Sequence, residues 1–393
     1  LGRVYLQLQL LSRHRRDLVE KRAKLQCQIR EYLGRCLPGY TALFASDKLW
    51  TRPLAIHVAR KAATAEGVRE AGVLQIRRWL RQQKIRFQSR SVEKIVAWAG
   101  NAAAADPLTP RLTRIGTTLD DDRQEKTRLI EQLEQELAAE LVKTPYLLLL
   151  SLPGINVVSA AELAGEMGPI EYYAHAKAVT GRAGLFPSRY QSDRVDRADG
   201  PLSRFRNSRL RAAWLRVADN LVTCNAHYRG KAQCWKASGV DSRDIRCRVA
   251  NRAARAVFRM VAGRELFRHP SRLERGYVLD KLFEFHHQRR TPPEAILRDL
   301  QSAAGLIPRA DQGDEARLLK ERYHRTRPCR RSGPEQIGRI LIGVTGPAGR
   351  ERLTIDSRGP EPWCQADRHG PSITPSSPWV VPHRAALWPH GAW

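Results

Sequence analysis

The chain has 393 residues and carries 68 Lys and Arg against 40 Asp and Glu, a formal charge of +28. That length is enough for two or three domains and a sizeable core. The charge calls for a polyanionic partner, with nucleic acid ahead of a membrane surface. No apolar run reaches the roughly 18 residues of a membrane-spanning helix, so no membrane role is expected. The seven cysteines form no C-x-x-C pair and no histidines cluster with them at ligand spacing, which argues against zinc and for free thiols in a reducing cytoplasm. The first residues, "LGRVYLQLQLLSRHRRDL", lack the order of a signal peptide, and a start at Leu rather than Met suggests a piece of a longer frame.

Residues 3–36 read as one helix. Val4, Leu8, Leu11, Leu18, Leu25, Ile29 and Leu33 recur at three, four or seven residues, with basic residues between them. "LPGY" at 37–40 stops it. Its basic face is either solvated or turned to phosphates. Residues 41–105 read as helical and irregular, with Trp50, Trp79 and Trp98 as core anchors or base-stacking platforms. The clearest pattern lies in 117–143, where Ile130, Leu133, Leu137 and Leu141 form a stripe flanked by Glu and Gln. This predicts a long coiled-coil-type helix that pairs with itself or with another helix of the chain.

Residues 146–275 mix helical stretches with Gly and Pro turns, and 281–324 suggest one or two polar helices. Strand signals are sparse, so the fold class is mainly α. From Pro328 onward periodicity vanishes, and ten of the 23 prolines and four of the nine tryptophans fall there. A Trp-dotted tail of this kind is expected to be disordered or the product of a shifted reading frame.

Two stretches can carry chemistry. In "SLPGINVVSAAELAGEMG" (151–168), Pro153 and Gly154 form a tight turn before a helix, like half of a helix-hairpin-helix. Such a turn can grip a phosphate without reading sequence, or it can be a plain helix start. In "GLFPSRYQSDRVDRADGPLSRFRNSRLR" (184–211), Ser192 sits among Arg189, Arg194, Arg204, Arg206, Arg209 and Arg211. A serine in such a field suits attack on a phosphate ester; an inert serine in a solvated loop suits it as well. From Leu210 the spacing is helical, with Leu210, Trp214, Val217 and Leu221 on one face. The aspartates of "DRVDRADG" do not have calcium-loop spacing, and metal binding is not expected there.

The order "LLSLPGINVVSAAELAGEMG", "AVTGRAGLFPSRYQSD", "GPLSRFRNSRLRAAWLRVADN", "CRVANRAARAVFRMV" resembles the C-terminal half of the insertion sequence 110/116/902 transposase family. The resemblance implies a site-specific DNA recombinase. In that family a RuvC-like domain with four acidic Mg²⁺ ligands precedes a coiled coil and a C-terminal domain bearing a serine nucleophile. The serine maps onto Ser192, and the coiled coil onto 117–143. DNA, a structured guide RNA and a homo-oligomer are the implied partners, in the cytoplasm at the nucleoid.

On this reading the chain comprises a basic helix (1–36), a helical region (37–145), the serine domain (146–275), a helical extension (276–327) and the tail (328–393). Three departures stand out: the acidic RuvC-like part is missing, Asp193 and Arg206 replace family glycines, and the tail looks unrelated. Together they imply a truncated copy that needs no cofactor of its own and binds without turnover. The alternative is a non-catalytic DNA- or RNA-binding helical protein.

Overall fold

The computed structural model describes residues 2–44, 48–186, 190–192, 195–197, 202–203, 206–267 and 272–308, all within a compact unit, Leu1–Ile355. The tail from 328 lies outside the described residues. The fold is mainly α, with one two-stranded antiparallel ribbon among the described residues.

The elements in chain order begin with α1 (Gly2–Cys36), α2 (Lys48–Thr51), α3 (Pro53–Ala62), α4 (Ala65–Gln82), α5 (Ser89–Gly100) and α6 (Thr109–Leu141). Then come α7 (Val157–Met167), α8 (Ala176–Ala183), β1 (Tyr190–Ser192), β2 (Val195–Arg197) and α9 (Ser208–Cys224). The last are α10 (Ala226–Ala237), α11 (Ser242–Gly263), α12 (Arg272–Gln288) and α13 (Pro293–Leu306).

Helix α6 pairs with α1 of the same chain, in opposite directions. Arg15 near the start of α1 meets Glu134 near the end of α6, while Thr113 near the start of α6 donates to the Cys36 Sγ at 3.9 Å. Just before α6, Asp106 holds Arg35 at 2.7 Å. The apolar stripe read at 117–143 is therefore used inside the chain: Ile130, Leu137 and Leu141 are buried.

Two hydrophobic cores form along this pair. One gathers the end of α1, the start of α6 and α3, α4 and α5, around Tyr40, Ile76, Leu80 and Ile95. Trp79 and Trp98 pack on its edge, half-buried. Trp98 donates to the Pro38 carbonyl at 3.1 Å and meets the Tyr40 ring edge-on. Trp50 lies in a small satellite cluster beneath the Arg123 guanidinium, 5.6 Å from its ring centre. All three tryptophans are anchors by their edges, because a large ring with an N–H is rarely enclosed completely.

The other core is built on α7, α9 and α11 and extends to α12 and α13. A 3-10 helix, Pro145–Ser151, buried from Tyr146 onward, leads into it. Leu210, Trp214, Val217 and Leu221 all point inward from α9, as their spacing requires. The stretch expected to form polar helices instead inserts Phe283, Phe285, Ile296 and Leu300 into this core. Each helix there shows only one apolar face, which a composition average reads as polar.

No helix among the described residues is long and apolar enough to cross a membrane. Cys27, Cys36, Cys224, Cys234 and Cys247 are free thiols.

Candidate nucleic-acid interface

Ser192 closes β1. In the antiparallel register Tyr190 faces Arg197, Gln191 faces Asp196, and Ser192 faces Val195. The serine thus stands at the tip of a hairpin. Arg189, Asp193, Arg194 and Arg204 lie outside the described residues.

What the structure shows in detail is the base from which this hairpin rises. Ser203 N–H donates to the Phe186 carbonyl at 3.1 Å, and Asn207 N–H to the Arg182 carbonyl at 2.8 Å. Arg211 reaches back from α9 and donates to the carbonyls of Ala183 (3.0 Å), Gly184 (2.5 Å) and Ser203 (2.6 Å). Asn251 of α11 donates to the Leu185 carbonyl. Gly184 ends α8 in the left-handed conformation, φ 60°. A Cβ there would strike the Arg211 guanidinium, so glycine is required on both counts. Arg211, read from the sequence as a phosphate ligand, is thus committed to backbone carbonyls. Arg206 and Arg209 are exposed at the entrance to α9, and Arg206 also contacts the Ser203 carbonyl at 3.4 Å.

Asn207 is the joint of the base. Its Oδ1 caps α9 by accepting from the N–H groups of Arg209 and Leu210, both at 3.0 Å. Its Nδ2 donates to Glu166 Oε2 at 2.9 Å. Glu166 is 1% exposed and also takes two bonds from Arg13 of α1, at 2.7 and 3.0 Å. Burial pushes this carboxyl up. The bonds from Arg13 and Asn207, with the charges of Arg13 and Arg209, outweigh burial and leave it below the ordinary carboxylate range.

The Pro153–Gly154 turn joins the buried 3-10 helix to α7, so its first arm is not an α-helix. Gly154 has φ 104°, and a Cβ there would lie 3.2 Å from the Asn220 carbonyl oxygen and from Leu221 Cα. Lys281 of α12 donates to the carbonyls of Leu150 (2.7 Å) and Ile155 (2.9 Å). Asn156 caps α7 by accepting from Ser159 N–H. The turn is thus pinned against α9 and α12, with Pro153 and Gly154 half-buried.

A cleft of about 1040 Å³ opens beside the hairpin base. Its cations are Lys177 of α8 and Arg248, Arg252, Arg255 and Arg259 of α11. The four arginines follow a four-three-four spacing and so share one helix face, while Val249, Ala253, Val257 and Met260 face the core. No acidic side chain lines the cleft among the described residues. Arg255 and Arg259 have no carboxylate partner among those residues, and Arg248 and Arg252 lie over the Trp235 ring at 5.9 and 5.1 Å.

Phe186, Tyr228 and Trp235 supply aromatic wall. Burial pushes the Tyr228 hydroxyl up to about 12 against the opposing pull of Arg252 and Arg259, so it stays protonated. This stripe was not legible as a site in the sequence, although its spacing is present in "RVANRAARAVFR", because the arginines around Ser192 are denser.

The described residues contain no group of three His, Cys, Asp or Glu side chains able to hold a metal ion.

Residues 146–234 match the family model described as Transposase IS116/IS110/IS902 family. Among curated proteins the chain is similar to the insertion element IS116 uncharacterized 44.8 kDa protein of Streptomyces clavuligerus, 24% identical over 188 residues. That match covers 46% of this chain and 45% of the relative, so the chain spans a little under half of the length of the protein it matches. The matched segment runs from the buried 3-10 helix into α10 and includes the turn at Pro153, the hairpin of Ser192 and the Asn207 cap. Residues 146–234 of this chain are accordingly similar to the transposase domain of the IS116/IS110/IS902 family.

Proposed function

We propose that the chain binds DNA through the α11 cleft and the entrance to α9, and that Ser192 is the residue placed to attack a DNA phosphodiester. The observation that carries this reading is the cleft itself: among the described residues it holds five cations and no acid, beside the base of the hairpin that bears the serine. A concave site with one sign of charge concentrates a polyanion. The transposase-family match of 146–234 supports a reaction on DNA.

In the proposed step the Ser192 Oγ forms a bond to phosphorus while one P–O bond of the strand breaks. The serine proton leaves with solvent, and the departing sugar oxygen is protonated to a hydroxyl. Exposed Arg206 and Arg209 would offset the charge that builds on the phosphate. The described residues do not fit the Mg²⁺ that the family resemblance implies, so no step is routed through a metal ion. A guide RNA and a homo-oligomer belong to the same proposal. Asp193 favours binding without turnover, because a carboxylate next to the attacking oxygen repels an incoming phosphate.

Two measurements test this. Duplex affinity should fall steeply with salt, and Arg255→Gln and Arg259→Gln should each lower the slope of log K against log salt by about 0.9. A slope that is flat in the parent protein removes the electrostatic reading. For the chemistry, Asp193→Gly in a chain joined to a RuvC-like domain of the family should yield serine-linked DNA, seen on a denaturing gel. Adding Ser192→Ala should abolish the adduct and leave binding intact. An adduct that persists with alanine takes Ser192 out of the mechanism.

A further inference from the structure

The α11 cleft has features that duplex binding does not need. A duplex carries its phosphates outside and its bases stacked within, so a flat basic surface is enough to hold it. Here the arginine stripe floors a cleft at the upper end of the range of ligand pockets, about 300–1,000 Å³. Its wall contains Phe186, 43% exposed although large and apolar, at the point where α8 gives way to the hairpin. Trp235 stands on the α10 side with the Arg248 and Arg252 guanidiniums on its ring.

Alternating guanidiniums and aromatic rings match the two faces of an unpaired strand, a charged backbone and free bases. The arginines recur at intervals of about 4.5–6 Å along α11, which lets successive side chains meet successive phosphates of an extended strand.

We infer that this cleft holds an unpaired nucleic-acid strand, with phosphates on the α11 arginines and a base against Phe186 and Trp235. The inference deepens the proposed function and rests on it. Within it the cleft separates the strand that Ser192 is to meet from its complement. Leu185 and Phe186 of the cleft wall belong to the hairpin base, where Ser203 N–H donates to the Phe186 carbonyl, so the cleft and the base share a wall.

The test compares the affinities of short labelled oligonucleotides of one sequence by fluorescence anisotropy: single-stranded DNA, single-stranded RNA and duplex DNA. Phe186→Leu and Trp235→Leu keep apolar bulk and remove the aromatic face. Each should weaken single-strand binding at least about fivefold and leave duplex affinity within about twofold. Phe186 is exposed, so its variant is not at risk of misfolding, and unchanged duplex affinity serves as the folding control for Trp235. Variant-sensitive binding of either DNA or RNA single strand supports the inference, and whichever binds names the strand. Equal losses for single strand and duplex, or no loss for either, overturn it while nucleic-acid binding stands. Failure of the parent protein to bind any of the three overturns the proposed function itself.

Discussion

Gly165→Val is expected to destabilise the chain by about 3 kcal/mol or more, at the top of the range for overpacked cores. Gly165 lies on α7 where α1 crosses it. Its missing Cβ would sit 2.6 Å from Gln9 N, 2.7 Å from Gln9 Cα and 2.8 Å from the Leu8 carbonyl carbon. Those atoms are backbone, so no rotamer change relieves the contact. The Gln9 side chain also donates to the Gly165 carbonyl at 3.2 Å, which fixes the approach. Leu8 is fully buried at the crossing, and forcing the helices apart would open the core around it. Urea unfolding should show a lower midpoint with an unchanged slope. The control is Gly230→Ala on α10, where the added methyl meets nothing within 4 Å. It should be neutral or gain up to about 1 kcal/mol from helix propensity. Equal midpoints for Gly165→Val and the parent would refute the close helix contact.

Glu166→Ala is expected to cost about 2–3 kcal/mol. Breaking a buried ion pair by removing one partner costs about 3–5 kcal/mol, and the lower figure applies because the Arg13 guanidinium can still reach water. The loss has a pH signature. The Glu166 carboxyl sits below its ordinary value in the folded chain. Its stabilisation is therefore complete above the unfolded value, near 4.5, and disappears as pH falls through the folded value. The difference in urea midpoint between the parent and Glu166→Gln should be constant from neutral pH to about pH 5 and shrink below about pH 4. A difference independent of pH would show that the carboxylate charge does not matter there. Glu166→Ala also tests the hairpin base, because Asn207 then loses the acceptor that links the α9 cap, through Arg13, to α1.

The long helices were legible because their cause is local. The apolar repeat over 3–36 and the stop at "LPGY" give α1 nearly to the residue, and the stripe around Ile130 and Leu137 gives α6. The inward face of α9 was readable for the same reason. The strands of the Ser192 hairpin were not. "YQSDRVDR" is short, polar and without the Gly that marks a tight hairpin turn, so it read as a loop. The partner of α6 was also open, since one helix stripe does not say which other stripe will cover it.

Periodicity and motif order by themselves determined the mainly α class, the span of α1, the core of α6 and the transposase-family likeness of 146–234. Each depends on residues adjacent in sequence or on sums over the chain. The tertiary structure alone decided what the arginines do. Arg211 is spent on the carbonyls of Ala183, Gly184 and Ser203, contributed by segments before and after the hairpin. Arg13 reaches Glu166, more than 150 residues away, and through it the cap of α9. Arg255 and Arg259 lie in a cleft whose other walls come from α8 and α10. A guanidinium has the same charge in every sequence context, and whether it meets a carbonyl, a carboxylate or open solvent is fixed by which distant helices pack beside it.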